Sequence, residues 1–143
     1  MDIVLRNLEE IQSTRKARQQ HLRNLGIDEA FIGQLVESFY LKVRSDAELG
    51  PIFGAEISDW GPHLDKMKLF WQSVVLKENV YSGKPVPAHM KLKGVRSSHF
   101  EKWLSLFSET LTELTDSKEI HREFIEPASR IAQRLSSMMN LVD

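Results

Sequence analysis

Apolar residues recur every three or four positions in four long stretches of this chain, and no stretch shows the two-residue alternation of a half-buried strand. That rhythm restricts the chain to an all-α architecture. The first stretch follows Asp28, a good N-cap, and carries Phe31, Ile32, Leu35, Val36, Phe39, Tyr40 and Val43 on one face. The second opens at Ser58, a candidate cap, tolerates Pro62 in its first turn, and presents Trp60, Leu64, Met67, Phe70, Trp71, Val74 and Val75. The third follows Ser97 or Ser98 as cap, with Phe100, Trp103, Leu104, Phe107, Leu111 and Leu114. The last restarts after Thr115-Asp116-Ser117 and carries Ile120, Phe124, Ala128, Ile131, Ala132, Leu135 and Met138. Pro127 is expected to kink or split it after Glu126. Between the first two helices, Gly50-Pro51 reads as a stop and Ile52-Phe53 as two apolar groups turned inward before Gly54.

With 143 residues the chain is most simply one domain, residues 26–143, large enough to bury a core unaided. Residues 1–25 form a charged N-terminal extension, read as solvated or as a short helix on the spacing of Leu5, Leu8 and Ile11. A net charge of −1 gives no field to attract nucleic acid, and no aromatic residues interleave the basic cluster Arg15-Lys16-Ala17-Arg18. No apolar run is long enough to cross a membrane, and the first residues do not read as a leader. The chain has no cysteine, which excludes disulfides and thiolate-bound metal or haem. These features fit a cytoplasmic protein.

The usual catalytic signatures, a His-Glu-x-x-His zinc motif or a Gly-x-Ser-x-Gly elbow, are missing. What stands out is Pro85-Val-Pro-Ala-His89, a histidine on a turn stiffened by two prolines, a backbone suited to aiming one ring nitrogen. Taken alone, the turn is more ordinarily read as a histidine on a solvated loop. His63 lies on the apolar face of the second helix, where a satisfied core histidine is the ordinary reading, and a zinc site of His63, His89 and His99 has no spacing signature. Yet Phe53, Phe70, Trp71, Phe100 and Trp103 make the surrounding region rich in rings. A flat apolar cofactor needs such walls, and a porphyrin iron needs one axial nitrogen with polar groups opposite. Tyr40, His63 and Trp103 are three candidate donors.

The string Phe39-Tyr40…Leu49-Gly-Pro-Ile-Phe53…Trp60-x-x-His63…Phe70-Trp71…Tyr81-x-Gly83-x-Pro85-x-x-x-His89-x-x-Leu92…His99-Phe100-x-x-Trp103-Leu104-x-Leu106-Phe107 resembles the truncated haemoglobins, specifically their third group. The resemblance covers roughly residues 27–138. It implies a two-over-two globin sandwich holding one b-type haem. It makes His89 the proximal iron ligand, and Tyr40, His63 and Trp103 the distal polar set, with His63 a second candidate iron ligand. Phe53, Met67, Phe70 and Trp71 match the ring at the corner and the face of the distal helix, and Leu92, Val95, His99 and Phe100 the proximal side. Lys66, with Arg96 behind it, is the expected propionate partner on charge and position. The sequence departs from the family pattern in having Lys93 where proline often follows the leucine, and in carrying Pro127.

The function so implied is binding of dioxygen, carbon monoxide or nitric oxide at a single iron. Three donors suit chemistry on the gas, such as nitric oxide dioxygenation or peroxide-dependent oxidation, better than oxygen transport. Either would draw electrons from an unidentified reductase, since no flavin or nicotinamide fingerprint is present. The expected partners are therefore small haem ligands and a reductase, with no nucleic acid or membrane, and the protein is expected as a monomer or weak homodimer. Two other readings remain: a haem-based sensor or ligand store without turnover, and a cofactor-free helical interaction module whose rings are core.

Overall fold

The structure, a computed structural model, describes residues 3–78 and 93–139; the Pro85–His89 turn and Leu92 lie outside the described residues. Six α-helices occur among them: α1 (Ile3–Leu25), α2 (Glu29–Ser45), α3 (Leu49–Gly54), α4 (Trp60–Leu76), α5 (Ser97–Leu114) and α6 (Lys118–Met138). No strand is present among the described residues. Helices α2 and α4 pack as one pair and α5 and α6 as the other, with α2 resting on α5 and α4 on α6. This is the two-over-two globin sandwich. No helix among the described residues is long and apolar enough to cross a membrane.

Four of these helices start for a local reason. Asp28 Oδ1 accepts the Phe31 amide hydrogen at 2.9 Å to cap α2, and Ser117 Oγ accepts from Ile120 at 3.1 Å to cap α6. For α4 the cap is Asp59, one residue after the expected Ser58, accepting from the Gly61 amide. For α5 neither serine caps; the ring of His99 reaches back, its Nδ1 accepting the Arg96 amide hydrogen at 2.8 Å. A histidine here does the work that a Glu or Gln at the third helical position does in a capping box.

The corner before α3 differs from the sequence reading. Helix α2 already stops at Ser45, and Gly50-Pro51 lies inside the first turn of α3. The organiser is Asp46, whose Oδ1 accepts the amide hydrogens of Glu48 and Leu49, both at 2.9 Å. Proline is tolerated so early in a helix because its missing donor would have had no partner. Glycine is required at 50, since a Cβ there would lie 2.6 Å from the carbonyl oxygen of Arg44.

The core is aromatic at its centre. Phe39, Phe107 and Phe124 are fully buried and Trp71 is 2% exposed. Trp71 stacks on Phe107 at 4.9 Å, and Phe107 stacks in turn on Trp103 at 5.6 Å. Helix α6 runs unbroken through Pro127 because Phe124, Ala128, Ala132 and Leu135 are all buried along one face. That burial outweighs the one backbone hydrogen bond proline removes.

Residues 3–25 form a continuous helix whose two halves differ. The end of α1 is docked: Leu22 is buried, Gln19 donates to the carbonyl of Leu76 at 2.7 Å, and Arg18 pairs with Glu123. It closes at Gly26, φ +115°, with Ile27 and Gly26 donating to the carbonyls of Leu22 and Arg23, the αL stop that glycine favours. The first turns leave Ile3, Val4, Leu5, Leu8 and Ile11 half or more exposed.

Candidate functional site

Tyr40 and His63 face one another across the α2–α4 pair because each sits on the inward stripe of its helix. Tyr40 is 5% exposed, one residue from the fully buried Phe39, whose ring it meets at 4.9 Å. The His63 ring meets it edge-on, with centroids 5.4 Å apart and planes at 86°. The Nε2 atom of His63 is buried. Phe53, from the corner helix, reaches Tyr40 at 6.4 Å. Trp103, on α5, does so through Phe39, its centroid 5.4 Å from that ring. The three candidate donors thus lie on one connected group of rings.

Around them the apolar side chains are half-buried: Phe53, Met67, Phe70, Val95, Phe100 and Trp103. Trp71 is placed deeper, between Phe107 and Phe124 in the core. Lys66 and Arg96 are exposed, and His99 is engaged as the α5 cap, its Nε2 3.5 Å from Glu48. His89 and Leu92 lie outside the described residues.

Charge braces the corner that carries Phe53 to the start of α5. Lys102 Nζ lies 2.8 Å from Asp46 Oδ2 and 3.6 Å from Glu48. Burial works to raise the Asp46 carboxyl, but the Lys102 ammonium and the two backbone amides outweigh it, and the group lies below its ordinary value. The same contacts hold the Lys102 ammonium above its own.

Two residues of the group have no site role in the sequence reading, although Trp60 stands on the inward face of its helix and in the Trp60-x-x-His63 string. Trp60 lies 5.4 Å from His63 at 90° and 5.9 Å from Tyr40. Arg44 places its guanidinium carbon 4.7 Å from the Trp60 ring centroid. The i, i+3 spacing of Trp60 and His63 on a helix was a signal for the first. Nothing local signals the second, since its partner comes from another helix.

The residues fit a haem by their chemistry. Half-buried rings and aliphatic groups offer apolar contact, the side chains of Tyr40, His63 and Trp103 carry polar hydrogens among them, and no cluster of three or more His, Asp or Glu side chains among the described residues competes for a bare metal ion.

Comparison with known proteins agrees with this geometry. Residues 22–137 match the bacterial-like globin family. The chain is 35% identical over 117 residues to the group 3 truncated haemoglobin ctb of Campylobacter jejuni subsp. jejuni serotype O:2, spanning 79% of this chain and 91% of that protein. The crystal structure of group III truncated haemoglobin from Campylobacter jejuni superposes with a TM-score of 0.72 at 35% identity, over 79% of this chain and 91% of that one. The chain belongs to the bacterial-like globin family and, within it, to the group III truncated haemoglobins.

Proposed function

We propose that the protein binds one haem b through His89 and takes up dioxygen, carbon monoxide or nitric oxide beside Tyr40, His63 and Trp103. Family membership supports haem-based gas binding in general. The observation that carries the finer reading is the edge-to-face Tyr40–His63 pair, with Trp103 joined to it through Phe39. Phe53, Met67, Phe70 and Trp71 supply apolar contact from the corner and the distal helix, Leu92, Val95, His99 and Phe100 serve the proximal side, and Lys66, with Arg96, is the cation for the propionates. The globin unit in this reading is residues 26–143.

When bound, haem supplies an iron with one coordination position for a diatomic gas. The Tyr40 hydroxyl and Trp103 indole are donors, and His63 donates or accepts according to which ring nitrogen carries the proton. Preorganised donors among buried rings stabilise negative charge that develops on a ligand without first reorienting water. Slow ligand release follows, and it suits nitric oxide dioxygenation or peroxide-dependent oxidation over transport. Electrons come from a reductase outside these 143 residues.

The test is nitric oxide consumption by the reduced, oxygenated protein, compared with Trp103→Phe and with free haem. Turnover well above free haem, reduced severalfold by Trp103→Phe, is expected. Turnover equal to free haem rejects the dioxygenase reading and leaves gas binding.

A further inference from the structure

Arg44 has no place in the gas-binding chemistry, and its side chain is exposed at the end of α2. Its guanidinium carbon nonetheless lies 4.7 Å from the centroid of the Trp60 ring, the first residue of α4. Trp60 in turn presents its ring to His63 at 5.4 Å and 90°. His63 meets Tyr40 at 5.4 Å, and Tyr40 meets Trp60 at 5.9 Å. Tyr40 and Arg44 stand one turn apart on α2, and Trp60 and His63 one turn apart on α4. The contacts close a circuit between the two helices.

We infer that Arg44 is a positioning residue which, by holding the Trp60 ring, fixes the orientation of His63 against Tyr40. His63 sits near the start of α4, in the turn that follows its cap, where helices fray most readily. Trp60 is half-buried at that same end; the rings of Tyr40 and His63 limit its two side-chain torsions, and Arg44 adds a further restraint on them. A cation over its face selects one ring orientation, and that orientation presents the ring to His63 at a right angle. Arg44 is itself exposed, so the hold on Trp60 steers His63 without adding a group to the buried rings.

This inference deepens the proposed gas site, and its test separates the two. The full-length chain is prepared as wild type, Arg44→Met, Arg44→Lys and Trp60→Leu. Because Arg44 is exposed, the Met variant keeps the stem and the fold while losing the charge. The first readout needs no haem chemistry: proton and carbon resonances of the His63 ring, displaced in wild type by the rings of Trp60 and Tyr40. Arg44→Met and Trp60→Leu are expected to move them toward the values of a free histidine, and Arg44→Lys to retain most of the displacement. The second is the dioxygen dissociation rate of the reduced protein. An exposed cation–π contact predicts a rise of about two- to fivefold in Arg44→Met. In a His63→Ala background the same substitution is expected to have no effect. Unchanged His63 resonances in Arg44→Met overturn the inference, as does an equal rate change with and without His63. Displaced resonances that respond to Arg44, in a protein that takes up no haem, uphold the positioning role while rejecting the gas site.

Discussion

The rings of Tyr40 and His63 meet edge to face, with centroids 5.4 Å apart and planes at 86°. Their helices start from different caps, Asp28 and Asp59, and belong to the same packed pair. The contact therefore joins two polar side chains through the apolar seam of the sandwich. Packing and chemistry can be separated here, because the ring of Tyr40 makes the contact and only its hydroxyl donates.

Tyr40→Phe removes that hydroxyl and keeps the ring. One net hydrogen bond of about 1–1.4 kcal/mol predicts dioxygen release about 5- to 10-fold faster. Carbon monoxide, which accumulates little charge, should change far less. Stopped-flow ligand replacement measures both, and equal changes for the two gases would mean the hydroxyl acts through structure.

Gly50→Ala tests the corner. The added Cβ would lie 2.6 Å from the Arg44 carbonyl oxygen, a backbone atom that cannot swing away. A loss of about 1–3 kcal/mol in urea unfolding is expected, as for other forced overpacking. A loss under about 0.5 kcal/mol would show that the chain between α2 and α3 shifts freely.

Acid stability depends on the junction between α1 and the body. Arg23 grips Glu29 with both guanidinium nitrogens, at 3.0 and 2.8 Å, and reaches Glu78 at 2.6 Å. The Arg23 contact, followed by a backbone hydrogen bond, lowers the Glu29 carboxyl from 4.5 to about 2. A carboxyl depressed in the folded state stabilises the protein above its ordinary value and loses that contribution as the pH falls toward the folded value. The window is thus between pH 4.5 and about 2. Since the Glu29 side chain is 55% exposed, screening limits the effect to about 1 kcal/mol or less. Glu29→Gln should flatten the fall in stability across this window and lower stability at neutral pH by a similar amount, read by urea unfolding at each pH.

The sequence made much of this legible where the signals were local. Asp28 followed by Phe31 to Val43 specifies α2 by cap and period, and the structure shows the helix from Glu29 to Ser45. Ser117 likewise marks the start of α6. The misread positions depend on distant partners or on several burials acting together. Gly50-Pro51 looked like a stop, but the stop is Asp46, held by Lys102 from α5. Pro127 looked like a break, but four buried residues keep α6 whole. Ser97 and Ser98 looked like caps, but His99 closes the turn instead. In the site, the inward faces of Tyr40 and His63 followed from helical spacing, whereas Arg44 over Trp60 did not, since a contact between helices leaves no trace in either stretch alone.

The most direct test of the account is a titration of the haem-depleted chain with haemin, followed by reduction and addition of carbon monoxide, for wild type and His89→Ala. The account predicts that wild type takes up one equivalent, giving an intense Soret band that moves on reduction and again with carbon monoxide, and that His89→Ala loses this ligand-responsive band or holds haem far more weakly. A wild-type chain that stays colourless, or a His89→Ala chain with the same spectra and affinity, would contradict it.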